Sequence, residues 1–592
     1  MAHAEQQALD LESISTDKTS TRKGRPKGSS TKKKPGVSTP TTSKELAGHL
    51  WKAADKLRGS MYASEYSDFI LGLIFLKYVG DTFETTRAQL KDELSEMYDG
   101  DDLLEALEDP DEYYAKAAFY VPREARWSAI SHQVKSGAVG ELIDRAMIAV
   151  MEHNKNLQGA LPVIYNSEGV DQRRLASVID LISNTNFSAV RDSEYSSTKD
   201  VLGFVYEYFL GKFARKEGQQ GGEFYTPTTV VNTLVGILQP LDGTLYDPCC
   251  GSGGMFVQSN VFVEHAGGNF KVDEQGRRTK LYVYGQESIQ KTWRLARLNL
   301  AIHGIDGDLG ISWGDTFVED RHSGESFDFV MTNPPFNDKD WALNTDDPRW
   351  RFGIPPAGNA NYGWLQHVWS KLNSHGTAAV VMANGTLTVE TSGQGEIRRA
   401  MIENDAVAAV LVLPSNMFTT TTSPACVWIL SKDKKAGRNG SKDHSGEILF
   451  LDARKMGHMV SRTERVFSEA EIAKIANTWC AWRGVKSMYH DDGTLVGEGE
   501  SVAIQPYDDE PGFSFSASRE QVAEQDYVLT PGRYVGSPEA EAEDVQALDA
   551  RIVDLQAQLL EQFAESERLA QVVREQLASL DLGGLVPEGV EE

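Results

Sequence analysis

The chain has 592 residues, 40% hydrophobic and 24% charged, with a formal net charge of −27. That length exceeds a single domain and suits about three, and the apolar content supports packed cores. No run of 18 apolar residues and no secretory signal are present, so a membrane-spanning or exported protein is not expected and the cytoplasm is the expected location; four cysteines without metal-ligand spacing (Cys249, Cys250, Cys426, Cys480) predict neither a disulfide framework nor a metal site.

The charge is unevenly placed. Residues 18–44 hold nine Lys and Arg and no acid, among Ser, Thr, Gly and Pro, a composition that predicts a disordered arm. Within it, Arg22-Lys-Gly-Arg-Pro-Lys27 resembles the core of an AT-hook, whose extended Arg-Pro segment fits a narrow A·T minor groove. An unspecific basic tail is the other reading, and either attracts phosphate. The first 44 residues contain nine basic and four acidic groups, so the remainder carries about −32 and should repel DNA unless a basic partner assists.

Residues 44–165 predict a helical domain. Leu46, Leu50, Ala54, Leu57 and Met61 recur at helical spacing, followed by an unbroken apolar run at 69–76. A further helix is predicted at 202–210. From residue 245 the pattern changes to short apolar runs that suit buried strands, at 245–247, 280–287, 310–317, 326–331, 376–383, 406–413 and 425–430. Separated by helical stretches, these predict an α/β sheet. The first run delivers Asp247 into the Gly-rich turn Pro248-Cys-Cys-Gly-Ser-Gly-Gly254. A Gly-rich turn after the first parallel strand is where doubly wound sheets bind nucleotides, because glycine lets a ligand approach the backbone. The spacing is not G-x-G-x-x-G, so a dinucleotide phosphate is not implied. Glu287 and Asp315 close the second and third runs, which places an acid at three successive strand ends. Residues 436–537 form an extension without a second set of strands. Beyond 538, Leu548, Ile552, Leu555, Leu559, Phe563, Leu569, Val572, Val573, Leu577 and Leu580 predict a long amphipathic helix with partial coiled-coil character, followed by an acidic tail to 592.

The most specific signal is Asn333-Pro-Pro-Phe336, directly after the fourth strand. Pro334 and Pro335 lack N–H donors, so the carbonyls here have no ladder to satisfy them. The Asn333 side-chain oxygen and the Pro334 carbonyl form a pair of acceptors that matches the two N–H bonds of an –NH2 group. Phe336 offers a ring face on which a planar base could stack.

Asn-Pro-Pro-Phe resembles the catalytic tetrapeptide of the DNA methyltransferases that modify N6 of adenine. The stretch from Asp247 to Gly254 resembles the S-adenosylmethionine loop of the same enzymes. The resemblance implies that Asp247, Pro248, Gly251, Ser252, Gly253 and Gly254 surround the methionine part of the cofactor. It also implies that Glu287 accepts from the ribose hydroxyls, and that Asp315 takes the adenine amine with Phe317 near its ring. Glu223, Phe224, Tyr225, Thr226 and Pro227 resemble the family's segment that covers the methionine moiety. The helical region 44–165, the helix at 202–210 and the Tyr527–Tyr534 segment resemble those of type I restriction–modification methylation subunits. This resemblance spans about 44–580 and implies a Rossmann-like methyltransferase sheet, an N-terminal helical domain and a long C-terminal helix. The implied organisation is a basic tail (1–43), a helical domain (44–165), a catalytic domain (166–435), an extension (436–537) and a C-terminal helix (538–592). Type I methylation subunits leave sequence reading to a separate specificity subunit, so the implied assembly on double-stranded DNA is two methylation subunits with one specificity subunit, which a nuclease subunit can join. Three other readings stand beside this one: a solitary adenine methyltransferase with its own recognition region, a protein-glutamine methyltransferase using a similar clamp on an amide, and a non-catalytic scaffold.

Overall fold

A computed structural model describes residues 42–55, 63–116, 118–133, 138–183, 205, 208–209, 226–266, 281–418, 424–497, 500, 502–537 and 545–579. The basic arm up to residue 41 lies outside them, as do Glu223, Phe224, Tyr225 and most of 202–210.

The N-terminal region is helical. It contains α1 (Ser43–Asp55), α2 (Ala63–Leu94), α3 (Gly100–Ala106), α4 (Pro110–Ala115), α5 (Trp127–Gln133), α6 (Val139–His153) and α7 (Gln172–Ser183). Most of the apolar run at 69–76 is buried. A segment that is apolar all round must be enclosed by other helices, and α4, α5 and α7 pack on α2. Gly140 permits the closest approach in this bundle: a Cβ there would lie 2.1 Å from the Tyr165 carbonyl oxygen. The Tyr165 hydroxyl in turn donates to the Phe69 carbonyl at 2.9 Å. The same core takes in Leu175, Val178, Ile179, Val205 and Phe209. The helical unit therefore runs past the expected boundary at 165, because the apolar face of α7 is buried there.

The expected α/β sheet is present and has nine strands. They are β1 (Gly243–Asp247), β2 (Leu281–Gly285), β3 (Gly307–Asp308), β4 (Phe327–Thr332), β5 (Leu372–Ala383), β6 (Val407–Val412), β7 (Ala425–Ser431), β8 (Glu447–Asp452) and, after a small β9–β10 hairpin (His458–Met459, Arg465–Val466), β11 (Ser514–Ser518). Their order is β11-β8-β6-β7-β5-β4-β1-β2-β3. Strands β3, β2, β1, β4 and β5 are parallel, and β7 is inserted antiparallel between β5 and β6. Two expectations need correction. Residues 310–317 are not a strand; β3 is two residues long and ends at Asp308, whose side chain accepts from the Gly310 N–H at 2.8 Å and turns the chain away. The stretch 436–537 does contain strands, and they lengthen the same sheet: β8 pairs parallel with β6, and β11 antiparallel with β8.

Helices cover both faces, as the all-buried strands β6 and β7 require. One layer contains α8 (Thr228–Leu238), α9 (Gly254–His265), α10 (Gln290–Ile302) and, later in the chain, Glu469–Arg483. The other contains α11 (Asn361–Lys371) and α12 (Gln394–Glu403). The helix at Glu469–Arg483, α13, starts in a capping box between Ser468 and Glu471 and ends at left-handed Gly484. A short α14 (Arg519–Glu524) adds to the second layer. Helix α10 has two apolar sides. Trp293, Ala296 and Leu300 face the sheet core, while Leu298, Ala301 and Ile302 belong to the helical core, so α10 is shared between the two cores. The last helix, α15 (Val545–Ser579), is 35 residues long, as its apolar spacing predicts. No described helix is long and apolar enough to cross a membrane.

Candidate active site

Strands β1, β2 and β4 end side by side, and their carboxyl ends build the site. Asp247 is the last residue of β1 and is buried. The Thr332 hydroxyl, at the end of β4, donates to Asp247 Oδ1 at 2.6 Å, and the Cys249 N–H donates to the same oxygen at 3.1 Å. Burial nevertheless pushes the Asp247 carboxyl up to about 7, against the opposing pull of the Thr332 hydrogen bond. The turn that follows needs its glycines: Gly251 and Gly253 have φ of 55° and 77°. A Cβ at Gly251 or Gly254 would meet nothing within 4 Å, so space is open against the backbone there. Glu287, two residues beyond β2, is also buried and closes this turn. Its carboxylate accepts from the Gly251 N–H at 3.1 Å and the Ile289 N–H at 2.8 Å. The Ser288 hydroxyl also donates to it, at 3.3 Å.

Asp315 reaches the same edge from a loop rather than from a strand end. The Gly314 N–H donates to the Glu287 carbonyl at 2.8 Å, and the Thr316 hydroxyl donates to the Pro248 carbonyl at 2.6 Å. Gln286 holds the loop's other side, with Nε2 donating to the Gly314 and Glu319 carbonyls and Oε1 accepting from the Arg321 N–H. Asp315 is exposed, and its Oδ1 accepts from the Phe317 N–H at 2.7 Å. Phe317 itself is only 6% exposed. Its ring packs against Trp364 at 4.4 Å and Trp341 at 4.7 Å, with the Arg349 guanidinium 5.5 Å from its centroid. Its ring is thus a structural support for the loop that carries Asp315.

Asn333 follows Thr332 directly. Its Nδ2 donates to the Thr226 hydroxyl at 2.9 Å, while its Oδ1 is buried and has no hydrogen-bond partner among the described residues. An unpaired buried acceptor costs on the order of 1–3 kcal/mol, and such groups mark sites that await a donor. Pro334 is buried and Pro335 exposed. Phe336 is half-buried and stands edge-on to Phe418, with ring centroids 6.2 Å apart and planes at 73°. Asn337, the next residue, has a left-handed φ of 55°. It is held by Asn361 from both sides: its N–H donates to Asn361 Oδ1, and its Oδ1 accepts from Asn361 Nδ2, both at 2.9 Å. The structure thus brings Thr226, Asp247, the Gly-rich turn, Glu287, Asp315 and Asn333–Phe336 to one edge. Thr332, Gln286, Asn361 and Phe418 were not legible as site residues, since each acts through a partner far along the chain.

A mostly parallel sheet with antiparallel β7 between β5 and β6, acids beside a glycine turn, and Asn-Pro-Pro-Phe directly after β4 are the features of an α/β methyltransferase for an exocyclic amine. Comparison with known proteins gives the particular family. Residues 197–543 match the N-6 DNA Methylase family model and residues 46–182 the HsdM N-terminal domain. The chain is 39% identical over 477 residues to the type I restriction enzyme HindI methylase subunit of Haemophilus influenzae, covering 78% of this chain and 99% of that protein. It is 35% identical over 552 residues to the MjaIX methylase subunit of Methanocaldococcus jannaschii, covering 90% and 91%. The crystal structure of a type I restriction–modification methyltransferase subunit from Streptococcus thermophilus superposes with a TM-score of 0.62 at 25% identity, over 83% of this chain and 99% of that one. The chain belongs to the N-6 DNA methylase family and is a type I restriction–modification methylase subunit, an adenine-specific DNA methyltransferase.

Proposed function

We propose that Asn333 and Pro334 clamp the N6 amine of a flipped adenine while Asp247, the turn from Pro248 to Gly254, Glu287 and Asp315 hold S-adenosylmethionine. The observation that carries this reading is the buried Asn333 Oδ1, unpaired among the described residues, beside a carboxamide nitrogen that is already engaged. The bound cofactor supplies an electrophilic methyl group on its sulfonium. The adenine N6 lone pair is delocalised into the ring and attacks poorly. Acceptance of its two N–H bonds by Asn333 Oδ1 and the Pro334 carbonyl draws the nitrogen toward sp3 and stabilises the positive charge that develops on it. The alkylated nitrogen is acidic and sheds its proton without a strong base. Because the amine cannot be reached within a stacked duplex, the base must leave the helix, and Phe336, braced edge-on by Phe418, replaces the lost stacking. The open backbone at Gly251 and Gly254, beside the buried Glu287 carboxylate, fits a ligand carrying ribose hydroxyls.

Target choice and assembly follow from charge. A body of about −32 needs a basic partner to hold DNA, so a specificity subunit is the proposed partner on double-stranded DNA. Two copies of this chain would serve one such subunit, and a nuclease subunit would complete a restriction assembly. The test is to incubate the full chain with tritiated S-adenosylmethionine and DNA, with and without the co-expressed specificity subunit. Label on DNA only with the partner supports the reading. Label on DNA without it indicates a solitary enzyme, label on protein indicates an amide methyltransferase, and no label indicates a scaffold.

Two further results are expected. Glu287→Ala weakens S-adenosylmethionine binding by about tenfold or more, because it removes a charged acceptor; calorimetry with unchanged affinity would place the ribose ligand elsewhere. Binding should also depend on pH through Asp247. The carboxyl titrates near 7 in the free protein, and its anionic form is the one that favours the cofactor's ammonium. Below 7 a proton must first be released, so affinity at pH 6 is about tenfold weaker than at pH 8. Asp247→Asn should lack that part of the dependence, and identical profiles would refute it.

A further inference from the structure

Thr226 precedes α8, more than a hundred positions from Asn333 in sequence, yet its hydroxyl accepts from Asn333 Nδ2 at 2.9 Å. We propose that Thr226 is a positioning residue that orients the Asn333 carboxamide so that its oxygen, not its nitrogen, meets the substrate amine. This rests on the reading of Asn333 as part of the amine clamp and adds to it a determinant of rate.

A carboxamide has two faces of nearly equal shape, related by a half-turn of its terminal torsion, and that torsion is soft. The two orientations are opposite in chemistry. One presents an acceptor to an incoming –NH2, and the other presents two N–H donors that repel it. Something other than packing must choose. The Thr226 hydroxyl does so by holding Nδ2, which leaves Oδ1 as the buried, unpaired atom. The reversed orientation would pair Oδ1 with the hydroxyl but bury N–H donors without an acceptor, and orphaned donors are rarer and costlier than under-satisfied carbonyls.

Both ends of this contact are rigid, as positioning demands. Pro227 confines Thr226 to extended backbone. Pro227 also starts α8, its carbonyl accepting from the Val230 and Val231 N–H groups, and α8 is pinned by Val230 and Leu234, which are fully buried. On the other side, Asn333 follows Thr332, whose hydroxyl is tied to Asp247 at the end of β1. The amide is therefore held between a helix start and a strand end that the sheet fixes independently.

The experiment uses the full chain assembled with its specificity subunit and compares Thr226→Val, Thr226→Ser, Asn333→Ala and the double variant Thr226→Val/Asn333→Ala. Valine keeps the shape and removes the hydroxyl, while serine keeps the hydroxyl. Thr226→Val is expected to lower kcat at least about tenfold, the loss of one oriented hydrogen bond, with the S-adenosylmethionine Kd within about twofold of wild type. Thr226→Ser should recover most of the rate, and the double variant should be no slower than Asn333→Ala alone, since the two residues act as one unit. Three results overturn the proposal: wild-type kcat in Thr226→Val, a Thr226→Val defect confined to cofactor affinity, or full additivity in the double variant. If Asn333→Ala itself turned over normally, the clamp reading would fail, a result separable from a silent Thr226→Val beside an inactive Asn333→Ala.

Discussion

Asn333→Ala is expected to lower methyl transfer by roughly 10²–10³-fold, the cost of about 2.7–4 kcal/mol when one donor–acceptor contact to a developing charge is lost. Cofactor affinity should be nearly unchanged, because the structure ties Asn333 to Thr226 and to none of the acids around the Gly-rich turn. Thermal stability should not fall either. The side chain leaves an acceptor buried without a partner among the described residues, so its removal relieves a desolvation penalty. Losing activity without losing stability is the signature of a group kept for chemistry rather than for folding. Phe336→Ala should behave similarly but less severely on duplex DNA, since Phe418 remains to face the base from its edge. Single-turnover rates, cofactor titration and a melting curve on the same preparation decide it. Wild-type turnover in Asn333→Ala would remove the clamp from the mechanism.

Deletion of the C-terminal helix should have an equally large effect on assembly. Leu559 and Phe563 of α15 are 51% and 61% exposed, and Leu555, Leu569 and Val573 are also open to solvent. An apolar stripe of this length seldom stays uncovered, and helices of this pattern bind partner helices through a repeating seam. The proposed cover is the specificity subunit. The cut must fall after Ser537 and not at Tyr534. Tyr534 stacks on Phe450 at 3.8 Å, Val535 is buried, and the Val535 carbonyl accepts from the Gly512 N–H at 2.7 Å. Removing residues 538–592 should leave a folded chain that binds S-adenosylmethionine, no longer co-purifies with the specificity subunit, and does not methylate its target. A truncated chain that still assembles would move the interface to the N-terminal helices.

The sequence by itself determined the class of fold, the Gly-rich turn and the Asn-Pro-Pro-Phe tetrapeptide. Each of these is local. Asp247 to Gly254 and Asn333 to Phe336 are continuous runs, and buried strands such as β6 announce themselves as unbroken apolar segments. Helical spacing likewise revealed α15. The tertiary structure alone decided how these pieces act together. Thr332 meets Asp247 from 85 positions away, Asn333 meets Thr226 from 107, and Phe336 meets Phe418, which lies beyond β6 in the chain. Pairings of that kind depend on strand order and register, which no single segment encodes. Local reading also misjudged two segments, for the same reason. Residues 310–317 look strand-like but are held as a loop by Gln286 and Pro248, and 436–537 looks like an appendage but supplies β8 and β11 to the sheet. Periodicity reports which face of a segment seeks burial; the neighbour that buries it is chosen by the fold as a whole.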